Sequence, residues 1–371
     1  MDADVVIAGA GPAGAIAATV LARAGARVLL LERNRFPRPK LCGDSINPGA
    51  VSILERLGLS GVLADGLPVG GMVVSGEGAV RVRGPYPDAV RGVSLTRAVL
   101  DARLAGAAVQ AGARLDEGVV VRGPVVNDGC VRGVEVSGGS GSTRQITALV
   151  VIAADGHFSR VARPLRLSRA AARPRRWAIG AYFEGVHDLG EHGEMHVRRD
   201  HYIGVAPVPG GLANACLVSA RRSLLRNRGA LIAHLAADPV LRDRFADARM
   251  VGQPTVLGPL AIDSPAAGYP GLLLAGDAAG FIDPMTGDGL RFAFRGGELA
   301  ALEALRVLEY GWNDSHRRLQ RSRRAEFGRK WRFNRALRAV AARPLAVRAA
   351  SVAARVAPGA VRRVIAYAGD I

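Results

Sequence analysis

A glycine-rich segment near the amino terminus has the residue types and spacing that bind a dinucleotide. It follows the apolar run 5–8 and precedes an Ala- and Leu-rich stretch. The first glycine permits a tight turn, the second lets a pyrophosphate approach the backbone, and the third lets helix and strand pack closely. The helix that follows supplies amide donors and positive potential at its amino terminus. The segment reads Gly9-Ala10-Gly11-Pro12-Ala13-Gly14.

A carboxylate follows at the spacing that such a fold requires. The second apolar run, Val28–Leu31, ends at Glu32, eighteen residues after Gly14. A carboxylate at this point accepts hydrogen bonds from a ribose diol and repels a 2′-phosphate. The amino-terminal segment therefore predicts a site for FAD or NAD rather than NADP.

A second glycine-rich segment lies far along the chain. Gly276-Asp277 comes directly after the apolar run Leu272–Ala275, and further glycines continue to Gly289. The Asp277 carboxylate stands at the carboxyl end of a predicted strand, where it can bind a ribityl hydroxyl. An enzyme that binds only NAD has no need of this motif, so the pair of segments favours FAD.

A third segment, Asp155-Gly156, also follows an apolar run. In order and spacing, the three segments resemble the flavoprotein superfamily of aromatic hydroxylases, flavin halogenases and geranylgeranyl reductases. The resemblance spans about residues 4–300 and implies that the three segments bind one FAD. It also implies that Arg97 lies on the FAD side and Val121 near the adenine. The residues expected to contact the cofactor are Gly9, Gly11, Pro12, Ala13, Gly14, Glu32, Arg33, Lys40, Cys42, Gly43, Arg97, Val121, Asp155, Gly156, Gly276, Asp277, Pro284, Gly287, Gly289 and Leu290.

The segment that follows Glu32 narrows the family. Lys40-Leu41-Cys42-Gly43 resembles the K-x-C-G segment of geranylgeranyl reductases, in which the cysteine lies beside the isoalloxazine. The chain lacks the Gly-Glu and Trp-x-Trp-x-Ile-Pro segments of the halogenases. Residues 202–207 resemble the reductases' aromatic segment but lack its Trp and Phe. Cys42 is the one catalytic candidate: its thiol either packs in a loop, tunes the flavin potential or protonates a reacting carbon.

Two flavoenzyme hypotheses remain open, because the fold alone does not choose between them. In the first, reduced FAD delivers hydride from N5 to a carbon–carbon double bond of an isoprenoid or lipid-like substrate. In the second, a C4a-hydroperoxide hydroxylates an aromatic or quinone-like substrate. Other flavin oxidations, halogenation and a non-catalytic nucleotide-binding module rank below these. No second GxGxxG is present, so the electron donor is expected to be transiently docked NAD(P)H or a partner reductase.

Apolar runs and breaks predict an α/β fold. Together with these runs, the resemblance implies a Rossmann-type FAD-binding domain (three-layer ββα, glutathione reductase-like) over residues 1–70, 92–170 and 255–310. An inserted antiparallel-sheet substrate domain is expected over 71–91 and 171–254, and a basic helical region over 311–371. Strands are expected over Val119–Val136 and Ile146–Ala153, among others. Trp331, Phe333 and Leu337 are expected to share a helix face.

Charge and composition limit the partners. The net charge is +18, and Lys40 and Lys330 are the only lysines. No basic groove interleaved with aromatics appears, so nucleic-acid binding is not expected. Residues 317–363 contain fifteen Lys and Arg and one acidic residue. They predict either a solvated helical tail or a basic amphipathic surface on anionic lipid.

The remaining titratable residues and the apolar pattern suggest neither a metal nor a membrane span. The spacing of Cys42, Cys130 and Cys216 fits neither a disulfide framework nor a zinc site. The histidines at 157, 192, 196 and 201 are expected to be solvated or locally bonded. No run of about 18 apolar residues occurs. We expect a cytoplasmic protein, with peripheral contact to the inner membrane face as the alternative, and a small apolar or aromatic substrate.

Overall fold

The computed structural model describes residues 1–77, 80–87, 90–138, 142–171, 175–225 and 229–371. Within these ranges the helices are α1 (Pro12–Arg23), α2 (Pro48–Arg56), α3 (Arg97–Gln110), α4 (Ala230–Ala237), α5 (Gly289–Tyr310), α6 (Ser315–Ala341), α7 (Pro344–Val356) and α8 (Pro358–Gly369). The strands are β1 (Ala3–Ala8), β2 (Val28–Glu32), β3 (Ser45–Ile46), β4 (Leu67–Val69), β5 (Gly71–Ser75), β6 (Arg81–Pro85), β7 (Gly92–Ser94), β8 (Arg114–Glu117), β9 (Val120–Asn127), β10 (Cys130–Ser137), β11 (Thr143–Ala153), β12 (Arg169–Ala170), β13 (Trp177–Glu184), β14 (His192–Val197), β15 (His201–Val208), β16 (Leu212–Ser219), β17 (Arg249–Leu257), β18 (Ile262–Asp263), β19 (Gly268–Tyr269) and β20 (Leu272–Leu274).

The nucleotide-type domain is built on a sheet in the order β19-β20-β11-β1-β2-β8. Strands β20, β11, β1, β2 and β8 are parallel, and β19 is antiparallel at the edge. Their apolar runs are buried on both faces, as parallel strands require. One face packs against α1 and α5, through residues such as Val5, Ile7 and Ala301. The carboxyl ends of β1, β11 and β20 therefore lie side by side at one edge of the sheet.

The opposite face of this sheet is covered by the antiparallel pair β9 and β10. Val121, Val131 and Val134 pack there against Val6 and Leu31. The arrangement is the three-layer ββα fold expected from the sequence, and that prediction is confirmed.

The range Val119–Val136, expected to be strand, is a hairpin of two strands, β9 and β10. The chain reverses at Asp128 and Gly129, both of which have positive φ (49° and 68°). Asp-Gly between apolar runs is a strong hairpin signal, because both residues tolerate the left-handed region.

The second domain is built on a seven-stranded sheet in the order β17-β13-β16-β15-β14-β5-β6. It is antiparallel except for the parallel pair β14 and β5. One face packs against α4 and the turn that follows, with Phe183 and Phe245 in edge contact. Its other face looks toward the nucleotide-type domain. The domain boundaries proposed from the sequence stay a prediction, and β17 shows that strands of this sheet extend to Leu257.

The carboxyl-terminal region is helical, as expected, and wraps over both domains. Trp331 packs against Phe327 of the same helix, whereas Phe333 makes an edge contact with Tyr367 of α8. The prediction that Trp331, Phe333 and Leu337 share one face was therefore wrong, since residues two apart on a helix point about 200° apart. Within the described part of the chain, no helix has the length and apolar character needed to cross a bilayer.

Candidate active site

One cavity of about 880 Å³ runs between the nucleotide-type domain, the seven-stranded sheet and the carboxyl-terminal helices. The three motif segments meet at one part of its wall, although more than a hundred residues separate neighbouring motifs along the chain. Of the residues predicted to bind FAD, all except Gly14 line this cavity. Those lining it are Gly9, Gly11, Pro12, Ala13, Glu32, Arg33, Lys40, Cys42, Gly43, Arg97, Val121, Asp155, Gly156, Gly276, Asp277, Pro284, Gly287, Gly289 and Leu290.

Gly14 lies behind the wall and acts through packing. A Cβ at Gly14 would overlap the carbonyl oxygen of Gly9, so α1 and β1 approach closely only with glycine there. Gly9 has φ +96°, and a Cβ on it would lie 2.6 Å from the Ala154 oxygen. At Gly11, by contrast, the nearest atom to such a Cβ is Arg38 Nη2 at 3.7 Å, so the space beyond it is open to the cavity. Gly11 is also the N-cap of α1, and its lack of a side chain leaves the first-turn amides facing that space.

Glu32 stands at the end of β2 and is buried. Its Oε2 accepts a hydrogen bond from Ala10 N at 3.2 Å, and Oε1 accepts one from Asn34 N at 3.0 Å. Arg38 Nη2 lies 3.5 Å from Oε2, and Arg38 Nη1 lies 3.2 Å from Asp101. Arg38 thus adds a cation to the wall beside Gly11, where a diphosphate would need one. The sequence reasoning missed it, although it lies between the Glu32 and Lys40 signals.

The Asp277 carboxylate, at the opposite side of the motif region, lies close to His157, Lys40 and Arg97. His157 Nδ1 lies 2.8 Å from Asp277 Oδ2. Burial raises the pKa of Asp277, but attraction to His157, Lys40 and Arg97 outweighs it, so the pKa lies below the ordinary value. Burial also lowers the pKa of Lys40, and Asp277 offsets part of that effect.

His157 is locally bonded, within the alternatives expected for it, and it is not solvated. Its ring is buried and stacks at a tilt on Phe281, 5.0 Å between centroids. The sequence offered no sign that it would meet Asp277, which lies 120 positions away.

These groups fit FAD. Asp155 Oδ2 accepts a hydrogen bond from Arg160 N at 2.7 Å, while its buried Oδ1 has no partner among the described residues. An unpaired buried acceptor at a cavity wall is costly unless a ligand donates to it. The glycine cradle at Gly11, the helix amides, the cations Arg38 and Lys40 and the carboxylates match the diphosphate and hydroxyl groups of a flavin dinucleotide.

Cys42 lies where the motif region meets the rest of the cavity, and Arg97 holds its surroundings. Arg97 makes a double ion pair with Asp101, at 2.7 Å and 2.8 Å. Burial lowers the pKa of Arg97, but Asp101 and Cys42 outweigh it, and the pKa lies above the ordinary value. Burial raises the pKa of the Cys42 thiol, and Arg97 offsets part of that rise. The thiol is therefore protonated at neutral pH, with a fixed cation beside it.

A buried polar cluster fixes the backbone around Cys42. Asp44 Oδ2 accepts hydrogen bonds of 2.6 Å from both Tyr182 and Asn214, and Asp44 Oδ1 accepts one of 3.1 Å from Arg97 N. Asn214 also donates to the Cys42 carbonyl oxygen at 2.9 Å, and the Cys216 thiol donates to the same oxygen at 3.2 Å. Burial raises the pKa of Asp44 to about 6, because it outweighs the hydrogen bonds from Tyr182 and Asn214. These contacts tie the K-x-C-G loop to β13 and β16.

The other half of the cavity is apolar. The seven-stranded sheet supplies one wall, the loop after β20 another, and the carboxyl-terminal helices close the outer side. The apolar residues lining it are Met72, Val74, Val82, Met195, Val197, Val218, Leu257, Leu260, Phe281, Met285, Leu337, Val347, Val361 and Ile365. Such a lining favours a long hydrocarbon ligand over a polar one.

A buried ion pair anchors the loop after β20 against this half. Asp283 accepts hydrogen bonds from Arg176 Nη1 at 2.9 Å and from the Tyr202 hydroxyl at 2.6 Å. Arg176 also donates to the Arg338 carbonyl oxygen of α6 at 3.3 Å. Tyr202 itself lines the cavity, in the segment that lacks the reductases' Trp and Phe. The loop, the sheet and α6 are thereby joined at one point.

Sequence comparison shows that the chain has an FAD binding domain and that it is similar to proteins named as reductases. The sequence profile of the FAD binding domain family matches residues 2–301. The menaquinone reductase of Mycobacterium tuberculosis is 32% identical over 329 residues, covering 81% of this chain and 76% of that protein. Digeranylgeranylglycerophospholipid reductase 1 of Methanopyrus kandleri is 31% identical over 328 residues, covering 83% and 82%.

Solved structures support the fold alone, because their sequence identity is low. A geranylgeranyl bacteriochlorophyll reductase-like protein of Thermoplasma acidophilum has a TM-score of 0.81 at 23% identity, covering 93% of this chain and 89% of that chain. The myxobacterial chondrochloren halogenase has a TM-score of 0.84 at 22% identity, covering 97% and 90%. The two chemistries share one architecture, so the choice between them rests on the site and on the closer relatives.

Proposed function

This chain belongs to the FAD binding domain family and is an FAD-dependent oxidoreductase, and from that premise we propose that it reduces carbon–carbon double bonds of an isoprenoid or similar lipid. The resemblance to geranylgeranyl reductases suggested by Lys40–Gly43 is confirmed at the level of the family. The observation that carries the proposal is the single cavity that joins the motif residues, the Cys42 thiol and a long apolar compartment.

FAD would lie across the motif residues. The first-turn amides of α1, with Arg38 and Lys40, would hold its diphosphate. Glu32 would accept from the adenosine ribose, and Asp277, fixed by His157, would accept from the ribityl chain. When bound, FAD supplies the two electrons that the reduction of a double bond requires. The electron donor is proposed to be NAD(P)H or a partner reductase.

The substrate is proposed to be an apolar lipid because of the walls that face it. The sheet, the loop after β20 and the helices α6, α7 and α8 present mostly aliphatic, thioether and aromatic groups to the apolar compartment, with a few polar side chains such as Ser75, Glu194 and Ser351 among them. The related proteins named as reductases of menaquinone and of digeranylgeranylglycerophospholipid fit such a compartment. A substrate rich in hydroxyl groups would find few hydrogen-bond partners along walls that are mostly apolar.

Cys42 is proposed to deliver the proton. Reduction of a carbon–carbon double bond adds a hydride, which carries two electrons, to one carbon. It also adds a separate proton to the other carbon. The Cys42 thiol carries its proton at neutral pH, and Arg97 stabilises the thiolate that remains on Sγ. Asp44, Asn214 and Cys216 keep the loop backbone in place while the charge changes.

Anaerobic turnover tests the proposal. The holoprotein, reduced by dithionite, is mixed with geranylgeranyl lipids in detergent, and products are measured by mass spectrometry. We expect each reduced double bond to add two hydrogen atoms without oxygen being present. Product that forms only with oxygen, and carries an added oxygen atom, would replace the proposal with the hydroxylation hypothesis.

A further inference from the structure

Helix α7 has two different apolar faces. Its inner face lines the cavity through Val347, Ala350, Ser351 and Ala354. These positions are three, four and seven apart, so they lie on one side of the helix. Ser351 Oγ accepts a hydrogen bond from Glu77 N at 3.2 Å, which places this face against the end of β5. The helix is therefore part of the wall of the lipid-shaped compartment.

The outer face of α7 is apolar and exposed. Leu345, Val352 and Val356 are 79%, 57% and 84% exposed, and Ala349 lies between them. Spacings of four, three and four residues align these side chains in one stripe, opposite the cavity face. Among the described residues, five large apolar side chains are more than half exposed, and three of them form this stripe. Isolated exposed apolar side chains are common, but a contiguous stripe on one helix marks a contact surface.

The positive charge near the stripe favours an anionic partner. Arg343, just before α7, and Arg348, on α7, are both exposed. On α8, Arg363 is exposed, whereas Arg362 donates to the Arg83 carbonyl oxygen of β6. The sequence contains no acidic residue between Glu326 and Asp370. An apolar stripe flanked by arginines, on a helix too short to span a bilayer, is the pattern of a helix that lies in the interface of an anionic membrane.

We propose that the outer stripe of α7 docks on an anionic lipid bilayer, with the helix lying flat and its inner face closing the cavity from the membrane side. The docking itself does not depend on the proposed function. Its biological role does rest on the proposed function, because a lipid substrate resides in the bilayer. A single helix then separates the hydrocarbon of the membrane from the apolar compartment. The geometry also explains why α7 is apolar on both sides.

Vesicle co-sedimentation of the full chain tests docking. Wild type is expected to pellet with vesicles of phosphatidylglycerol and phosphatidylcholine and to pellet less with phosphatidylcholine alone. The L345S/V352S/V356S variant should lose about tenfold or more in partitioning, since three inserted side chains are replaced. The R343Q/R348Q variant should lose up to about fivefold per residue on anionic vesicles only.

The matched control is V109S/I232S/L302S. These three residues are 47%, 50% and 45% exposed, and they lie on α3, α4 and α5, away from the stripe. The control should pellet like wild type. Equal pelleting of wild type and the α7 triple variant would overturn the proposal. So would a dimer, seen by light scattering without vesicle binding, that the α7 triple variant abolishes, because the stripe would then face a second copy.

Turnover in two media separates this proposal from the proposed function. With substrate dispersed in detergent, the α7 triple variant should work as well as wild type; with substrate embedded in vesicles, it should be slower by the factor lost in partitioning. If wild type reduces no isoprenoid lipid in detergent, the proposed function fails, whereas the co-sedimentation result still decides the docking proposal.

Discussion

The Tyr182 hydroxyl donates a 2.6 Å hydrogen bond to Asp44, and this contact joins the substrate sheet to the loop that carries Cys42. Asp44 is fully buried and has φ +54°. Its pKa is raised to about 6 by burial. The protonation state of this carboxyl therefore changes near physiological pH, at a point that fixes the Cys42 backbone.

Asp44 predicts a pH-dependent component of stability. Its pKa in the folded protein, about 6, lies above the ordinary value of 3.8 for an aspartate, so between these values the folded state binds the proton more tightly than the unfolded state. The contribution is complete below about pH 4 and is lost as the pH rises through 6, a change of about 3 kcal/mol. Asp44→Asn, which tolerates positive φ, should lack this component. Urea unfolding of both proteins from pH 4 to 7 measures the difference; parallel curves would contradict the shift.

We expect the Asp277 carboxylate to contribute to the affinity of the protein for FAD. Asp277→Ala removes the acceptor that faces the cavity beside His157, and it removes the carboxylate charge that offsets part of the effect of burial on the pKa of Lys40. We expect the dissociation constant for FAD to rise by about ten- to a hundredfold, the loss of a charge-assisted hydrogen bond. Quenching of flavin fluorescence on titration into apoprotein measures it. The control is Asp263→Ala, an exposed position at the end of β18. Full flavin occupancy in Asp277→Ala would show that the ribityl contact lies elsewhere.

We expect substitution of Cys42 to lower turnover without weakening the binding of FAD. Cys42→Ala should bind FAD as wild type does, because the thiol is not needed for the diphosphate or ribityl contacts. Turnover should fall by about 10²–10⁴-fold, the usual worth of a positioned acid. Cys130→Ala, on the hairpin away from the cavity, is the control. Unchanged turnover in Cys42→Ala would leave the thiol as a packed loop residue.

Local sequence patterns anticipated where the motif segments would meet, but not the contacts that link distant strands. The turn at Gly9, the helix start at Gly11 and the strand end at Asp277 depend on neighbouring residues, so periodicity and glycine spacing reveal them. Asp44 meets Tyr182 and Asn214 across 138 and 170 positions, and only the register of β13 and β16 brings them together. No pattern within a window reports such a register.

Helix α7 is a second case in which the sequence alone does not give a tertiary contact. Its sequence is apolar around nearly its whole circumference, so periodicity alone does not say which side faces the protein. The sequence reasoning therefore left a solvated tail and a lipid-binding surface as alternatives for the region. The structure adds that α7 lines the cavity, which neither alternative included.

The buried pair of Arg176 and Asp283 predicts a large and partner-dependent effect on stability. Both side chains are at most 5% exposed, and without Arg176 the nearest cation described for the Asp283 carboxylate would be Arg338 Nε, at 3.9 Å. Arg176→Met should cost about 3–5 kcal/mol in free energy of unfolding, whereas Arg176→Met with Asp283→Leu should recover much of it. Chemical denaturation of the two variants measures this. An equal loss in the single and double variants would show that the Tyr202 contact, rather than the charge, matters.

The absence of a side chain at Gly76 allows α7 to pack closely against the end of β5, and a substitution there tests this contact. A Cβ at Gly76 would overlap Ser351 Oγ and come within 3.1 Å of Ser351 Cβ, so in Gly76→Ala the Ser351 hydroxyl must turn away and α7 must shift by a few tenths of an ångström from the sheet. We expect the displaced helix to open the apolar compartment, and the binding of an apolar fluorescent dye to the full chain to increase severalfold. Ser351→Gly in the same chain removes both overlapping atoms and should restore wild-type dye binding. Gly61→Ala, whose Cβ would meet nothing within 4 Å, is the matched control. If Gly76→Ala binds the dye as wild type does, or if Ser351→Gly does not reverse its effect, α7 is not held at this contact and the wall of the cavity is closed elsewhere.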